Sequence, residues 1–411
     1  MSAARLLVFV VLLVLVLGGI NAQVFRWARN AFALGPRAQR GLKLVLALAV
    51  AGMVLGRVAG RFFSGESLRP VIAVASTFEL AVVMSGIFLL MADVARILLR
   101  LATRWRPRAH EAPEANAPAP ATPEHPRRQF LAQATAGSAF LIGSGSSLYG
   151  ALKGRYDYSV EEVVVKIPGL PRALDGFSIA QLSDVHIGVF VGEAELAIAE
   201  ALLRQAKPDL IVLTGDLLDN DPRLAPQLGR FVRRLPPLAR AGVFGITGNH
   251  DYFAGVEAVA DAVTGAGARM LRNDALVIGD ANAGFALLGV EDVWARREGD
   301  GPDLERALRA LPRLKGRVAP ALDLPRVLLC HNPSFFSEAA GRVGLQLSGH
   351  THGGQVNLGL RPADYLLPGG WVAGRYDLNG SALYVNRGFG TVGPPARIGA
   401  PPEVTRIILT S

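Results

Sequence analysis

The sequence predicts an α/β domain preceded by an all-α transmembrane region. Three observations lead there. Long apolar runs are confined to the first 152 of 411 residues. From about residue 160 the pattern changes to short β-branched or aliphatic runs that end in polar residues and alternate with amphipathic stretches. Between the two parts lies a segment, residues 107 to 126, rich in Pro, Ala and Glu, a composition that packs no core and behaves as an extended linker. Hydrophobic residues make up 50% of the chain, more than an ordinary soluble domain carries, and the apolar runs account for the excess.

The N-terminal runs are Leu6 to Ile20, Leu42 to Ala59, Val71 to Leu99 and Phe130 to Leu152. Crossing hydrocarbon takes about 20 apolar residues at helical rise. We therefore expect three transmembrane helices within residues 1–106, a linker over 107–128 ending in a twin arginine, and a fourth transmembrane helix or signal-like segment over 129–152. Arg127-Arg128-Gln129-Phe130-Leu131 resembles the twin-arginine export signal, and it reads equally well as a basic cap on the cytoplasmic end of a span. The net charge of +9 does not call for nucleic acid. Arg26, Arg29, Arg37, Arg40 and Lys43 crowd the first inter-helix loop, and Arg96, Arg100, Arg104, Arg106 and Arg108 crowd the end of the third span. Flanking clusters of this kind set topology. With both on the cytoplasmic side, a fourth crossing delivers the C-terminal domain to the periplasmic or extracytoplasmic face of a bacterial cell membrane. A segment that does not cross leaves it inside.

Residues 153–411 form the expected second domain. Its candidate strands are Glu162 to Ile167, Phe177 to Leu182, Leu210 to Thr214, Val243 to Thr247, Phe285 to Val290, Val327 to Cys330, Leu345 to Ser348, Leu383 to Val385 and Val404 to Leu409. Near-continuous apolar runs indicate strands buried on both faces, so helices should cover the sheet. Candidates are Gly192 to Gln205, Ala225 to Leu235, Gly255 to Thr264 and Asp303 to Leu311. The single cysteine, Cys330, excludes an intrachain disulfide and reads as a small buried hydrophobe.

Five of the seven histidines lie within or between four short motifs of this domain. These are Asp184-Val185-His186, Gly215-Asp216-Leu217-Leu218-Asp219, Gly248-Asn249-His250-Asp251 and Gly349-His350-Thr351-His352-Gly353-Gly354-Gln355, with His331 between the last two. Asp184, Asp216, Asn249, His331 and the last motif follow predicted strands, where open α/β sheets gather their sites. Carboxylate, imidazole and one amide oxygen suit divalent ions of borderline softness, Mn, Zn, Fe or similar. A bridging carboxylate holds two such ions about 3.5–4 Å apart, close enough to share a water and clamp a phosphoryl group. We assign that bridge to Asp216, one ion to Asp184, His186 and His352, and the other to Asn249, His331 and His350. In an extended segment His350 and His352 would point to one face, with Gly353-Gly354 turning the chain close to the ions. His250 is left free to donate a proton to a leaving group, and Asp251 could orient it. Asp219 is expected to bond a ligand residue or a loop amide. Tyr252, Phe253, Trp294 and Trp371 read first as core aromatics, with an apolar wall beside the site as the alternative, and Arg387 reads as part of a structural loop, with contact to an anionic substrate as the alternative.

These residues resemble the calcineurin-like metallophosphoesterase family, whose pattern is DxH, GDxxD, GNH[DE], a lone H and GHxH; all five elements are present in order. The ending GHTHGGQ, the tail Leu383-Tyr384-Val385-Asn386-Arg387-Gly388-Phe389-Gly390 and Pro402-Glu403-Val404 resemble the YkuE/YaeI-type bacterial phosphodiesterase branch. The resemblance covers roughly residues 160 to 411. It implies a four-layer α/β/β/α sandwich, a site for two divalent metal ions and phosphoester hydrolysis, sometimes of lipid-linked substrates. Joined to the membrane part, which confines the enzyme to a surface, it leads us to expect a membrane-anchored enzyme that cleaves a phosphodiester or pyrophosphate on a lipid or envelope polymer. The partners expected are thus a phosphoester substrate and the lipid bilayer, with no nucleic acid and no obligate protein partner. A membrane sensor or accessory that uses the fold only to bind ligand is the alternative, and transport by the helices is disfavoured by their few mid-span charges, chiefly Glu79 and Asp93.

Overall fold

The computed structural model describes residues 3–59, 65–104, 124–279, 283–311 and 324–411, which separate into a helical unit, Met1–Phe62 with Pro70–Tyr149, and a second unit, Phe63–Arg69 with Gly150–Ser411. Most of the linker expected over 107–128, with His110, falls outside the described residues.

The helical unit is built from α1 (Ala3–Ala31), α2 (Pro36–Ala59), α3 (Gly65–Arg104) and α4 (Glu124–Leu152). Each contributes to one small apolar core that includes Val24, Trp27, Leu46, Val82, Leu89, Ala136 and Ala139. Two described helical segments are long and apolar enough to cross a membrane, Val11–Ala31 and Leu68–Thr103. The expected second and fourth spans are not among them; in α4, Ser138, Ser144, Ser146 and Ser147 with Gly137, Gly143 and Gly145 dilute the hydropathy. The linker also ends earlier than expected, because α4 begins at Glu124 and takes in Arg127 and Arg128.

In the second unit two six-stranded sheets lie face to face. The first has the order β1-β12-β2-β3-β4-β5, from β1 (Ser159–Lys166), β2 (Ser178–Leu182), β3 (Leu210–Thr214), β4 (Val243–Ile246), β5 (Arg269–Met270) and β12 (Glu403–Thr410). The second has the order β10-β11-β9-β8-β7-β6, from β6 (Asp274–Gly279), β7 (Gly284–Gly289), β8 (Arg326–Leu329), β9 (Leu345–Ser348), β10 (Gly374–Leu378) and β11 (Ser381–Val385). Strands β2 to β5 run parallel, as do β7, β8, β9 and β11. The inward faces of both sheets share one core, with Ile179, Val212 and Ile407 from the first and Phe285, Val327 and Leu347 from the second.

Outside the first sheet pack α5 (Glu193–Ala206), α6 (Ala225–Val232) and α8 (Val256–Thr264), burying Leu196, Leu203, Phe231 and Val259 against Leu182, Ile211 and Leu213. The short α7 (Asn249–Ala254) lies between α6 and α8 in the chain. α9 (Leu304–Arg309) and the single turn α10 (Phe336–Ala339) cover the second sheet with Leu304, Ala307, Leu308 and Ala339. The layering is α/β/β/α. Strands β2, β3, β4, β7, β9 and β11 are buried throughout, as the continuous apolar runs required. Cys330 is fully buried.

Candidate metal centre

Parallel strands bring their C-terminal ends to one edge of each sheet, and the candidate residues follow there: Asp184 after β2, Asp216 after β3, Asn249 after β4, His331 after β8, His350 and His352 after β9. The loops interlock through backbone bonds. The amides of Asp184 and His186 donate to the carbonyls of Gly215 and Asp216, and the amides of Phe389 and Gly390 donate to those of Ser183 and Asp184. Gly248 lies so close to Asp216 that a β-carbon there would collide with the Asp216 carboxylate and amide.

Three sets of donor atoms converge, each within 4.8 Å: Asp184, His186 and His352; His186, Asp216 and His250; Asp216, His331 and His350. Oδ2 of Asp216 stands 3.6 Å from Nε2 of His186 and 3.2 Å from Nε2 of His331, so one oxygen faces both outer sets. Its Oδ1 accepts from the His250 amide at 2.8 Å. Oδ1 of Asp184 lies 3.4 Å from Nε2 of His352, and the His186 and His352 Nε2 atoms are 3.0 Å apart. Nδ1 of His331 bonds the Thr214 carbonyl at 2.8 Å, which leaves Nε2 with the free lone pair.

His350 and His352 do not share a face, contrary to the extended reading. The backbone is left-handed at His350 (φ 74°) and at His352 (φ 52°), so the segment turns and sends the two rings to different donor sets.

The fit to divalent ions rests on the donor atoms themselves. Oδ1 of Asn249 is buried with no hydrogen-bond partner, as is Nδ1 of His186. A buried amide oxygen left bare costs about 1–3 kcal/mol, and a cation satisfies it. Burial pushes His186 and His350 down to about 4 and His352 well below its usual range, so these rings are neutral and offer lone pairs at physiological pH. Burial opposes charge on both Asp216 and His331, yet their mutual attraction takes Asp216 well below the carboxylate range and His331 well above that of imidazole, so Nε2 beside the Asp216 carboxylate holds a proton that a divalent ion would have to displace before the lone pair could ligate it.

His250 takes its orientation from Asp219, not from Asp251. Its Nδ1 bonds the Asp219 carbonyl at 2.7 Å and lies 3.3 Å from the Asp219 carboxylate. Burial pushes this imidazole down, but the bonds to Asp219 and the charge of Asp216 outweigh it and raise it to about 9. Asp251 is fully buried and accepts from the amides of Leu217, Leu218 and Gly248, tying the Asp216 loop to the start of α7. Burial, with the neighbouring Asp216 charge, raises it to about 7. Phe253 is not a core aromatic either. It is partly exposed, its ring centroid 5.2 Å from that of His250 and 4.9 Å from that of Trp294, and so walls the site on one side.

Two residues had not been singled out in the sequence. Arg397 is almost completely buried and fans into four carbonyls, those of Arg387, Gly388, Gly390 and Ala400, with Nη2 3.2 Å from Nδ1 of His352. Asp292, after β7, is buried with Oδ2 unpartnered. Neither belongs to a metal motif, and an arginine or aspartate near Gly and Pro carries no local signal of burial. Arg387 is structural as expected, paired with Glu161 at 2.8 Å and with Glu403.

Residues 177–354 match the family described as calcineurin-like phosphoesterase. The metallophosphoesterase YkuE of Bacillus subtilis (strain 168) is 32% identical over 301 residues, covering 69% of this chain and 98% of that protein. Phosphodiesterase YaeI of Escherichia coli (strain K12) is 33% identical over 240 residues, covering 57% of this chain and 82% of that protein. A transmembrane protein with metallophosphoesterase domain from Danio rerio is 30% identical over 288 residues, 66% of this chain; this chain spans only 62% of that protein's length. With five motifs converging at the edge of an α/β/β/α sandwich and a 32% identical relative matched over 98% of its length, this chain belongs to the calcineurin-like metallophosphoesterase family.

Proposed function

We propose that this protein is a membrane-associated phosphoesterase that uses two divalent ions to hydrolyse a phosphodiester or pyrophosphate bond on a lipid or cell-envelope substrate. The observation that carries the reading is Oδ2 of Asp216, which faces His186 on one side and His331 on the other. In it Asp184, His186 and His352 would hold one ion, Asn249, His331 and His350 the other, and Asp216 would be shared between them. Such a pair neutralises phosphoryl charge and supplies an acidified water at neutral pH.

The chain's own residues do the rest. His250, with Nδ1 engaged by Asp219, has Nε2 available to hold a proton toward the leaving oxygen. Phe253 and Trp294 limit water on that flank. Asp251 keeps the Asp216 loop and the start of α7 in register.

Membrane association is supported by the length and apolarity of α1 and α3 and by the relative described as a transmembrane protein. The reading includes a multi-pass arrangement in a bacterial cell membrane with an extracytoplasmic catalytic domain, supported by the basic clusters at Arg26–Lys43 and Arg96–Arg108. A phosphoesterase named for phosphodiesters among the relatives supports the diester preference.

The test compares hydrolysis of bis(p-nitrophenyl) phosphate, p-nitrophenyl phosphate and a polyprenyl pyrophosphate by the full chain supplied with manganese. Turnover of the diester or the pyrophosphate above the monoester is expected. Turnover of the monoester alone contradicts the proposal.

A further inference from the structure

The segment that follows the Gly349–Gln355 motif is apolar and open to solvent. Leu360, Tyr365 and Leu366 are 74%, 87% and 79% exposed, and Leu358 and Leu367 are exposed beside them. Among the described residues of Gly150–Ser411, eleven large hydrophobic side chains are exposed, and five of them fall within residues 358–367. Single exposed leucines need no explanation, whereas a cluster of this density marks a contact surface.

The cluster is held at both ends by the candidate metal motif. Asn357 donates through Nδ2 to the Gly353 carbonyl at 2.9 Å, and its amide bonds the Ile398 carbonyl at 2.7 Å. On the far side Thr351 donates to the Val372 carbonyl at 2.5 Å. The short helix α11 (Ala363–Leu366) carries Tyr365 and Leu366 between these two ties. The apolar tip is therefore fixed in relation to His350 and His352.

We propose that residues 358–367 form an interfacial wedge that dips into a lipid leaflet and seats the metal centre at headgroup depth, so that phosphoesters held in the leaflet are its substrates. The proposal rests on the phosphoesterase reading of that centre. The occupant is argued from three features. The same chain carries two helices long and apolar enough to cross a membrane, so a bilayer is the apolar phase within reach. Within the cluster the one basic and the one acidic side chain, Arg361 and Asp364, pair with each other at 2.7 Å, which leaves no net charge to desolvate on insertion. Leucine with tyrosine is also the composition that settles at a membrane interface. Side chains of this kind are stabilised by burial in an apolar phase, so five partly inserted ones orient a domain already tethered to a membrane without anchoring it alone.

Cys330 is fully buried, so Leu366→Cys in the full chain gives one accessible thiol for an environment-sensitive fluorophore. In vesicles of phosphatidylethanolamine and phosphatidylglycerol, emission should shift to the blue and be quenched by acyl-brominated phosphatidylglycerol. Leu360→Asp combined with Tyr365→Asp should abolish both effects. It should also lower turnover of a vesicle-borne diacylglycerol p-nitrophenyl phosphodiester by about tenfold while leaving bis(p-nitrophenyl) phosphate within about twofold.

Emission that stays aqueous in vesicles, or shielding that rises with protein density but is untouched by bromolipid, overturns the wedge; the second outcome makes this face a contact between copies. An equal loss on both substrates overturns it too. Failure of the parent chain to hydrolyse either diester, with the fluorophore still quenched, instead contradicts the phosphoesterase reading and leaves the wedge standing.

Discussion

Asp184, His186, Asp216, His350 and His352 all hold left-handed backbone, with φ between 50° and 74°. Each such non-glycine residue costs on the order of 1 kcal/mol, which the interlocked loops around the site offset. The motifs were legible because this geometry draws on residues next to each other in the chain. Partners chosen by a turn were not. His250 reaches Asp219 because the Asp216 loop curls back, which neighbours in sequence do not disclose, and Asp251 spends both its oxygens on amides. His250→Ala should lower kcat by about 10²–10⁴-fold while bound metal stays unchanged, as read by turnover beside elemental analysis. A loss of metal in that variant would make His250 a ligand instead. Arg397→Lys should destabilise the protein by about 1–3 kcal/mol, because an ammonium cannot fan into four carbonyls. Denaturant unfolding measures this, and an unchanged midpoint contradicts the role given to the guanidinium.

At the scale of elements, the central strands and the edge strand β1 were legible from their apolar runs, whereas the edge strands β5, β6 and β10 were not. β6 and β10 border the second sheet and β5 the first; with one side unpaired they need no continuous apolar run, and Gly374-Arg375-Tyr376-Asp377-Leu378 has none. α7 was hidden for another reason: it starts at Asn249, inside a motif read for its chemistry. β1 supplies a test of pH dependence through Glu161, whose carboxylate accepts from Arg387. Partial burial works against the ionised form, but the hydrogen bond and charge of Arg387 outweigh it and hold this carboxyl below its usual range. The stability it contributes is thus complete above the unfolded carboxyl's pKa of about 4.3 and is lost as pH falls through the lower folded value. Glu161→Gln should lower the melting temperature at neutral pH by the equivalent of less than about 1 kcal/mol, since the pair is part-exposed, and should match the parent in strong acid. A difference that persists undiminished in acid contradicts that linkage.

For the molecule as a whole, the organising feature of the catalytic unit is the apolar core between its sheets. Phe285 is fully buried there, its ring 5.5 Å from that of Phe177 in an edge-to-face pair. Phe285→Ala should cost about 3–5 kcal/mol of stability, because neither sheet can close on the cavity without disturbing the other. A loss below about 1 kcal/mol in denaturant unfolding would mean that this core relaxes freely. The division into an apolar helical part and an α/β part was readable from composition alone, whereas the packing of one sheet on the other followed only from the family resemblance. Alternation of apolar runs announces buried strands but not how many sheets they make.

In the proposed mechanism two ions share the Asp216 carboxylate. The most direct measurement is the metal content of the purified full chain beside Asp216→Asn, taken with manganese-dependent hydrolysis of bis(p-nitrophenyl) phosphate on the same samples. Two divalent ions per parent chain are expected, with both the ions and the turnover falling together in the variant. A parent chain that holds a single ion, or a variant that keeps its ions and its rate, would contradict that mechanism.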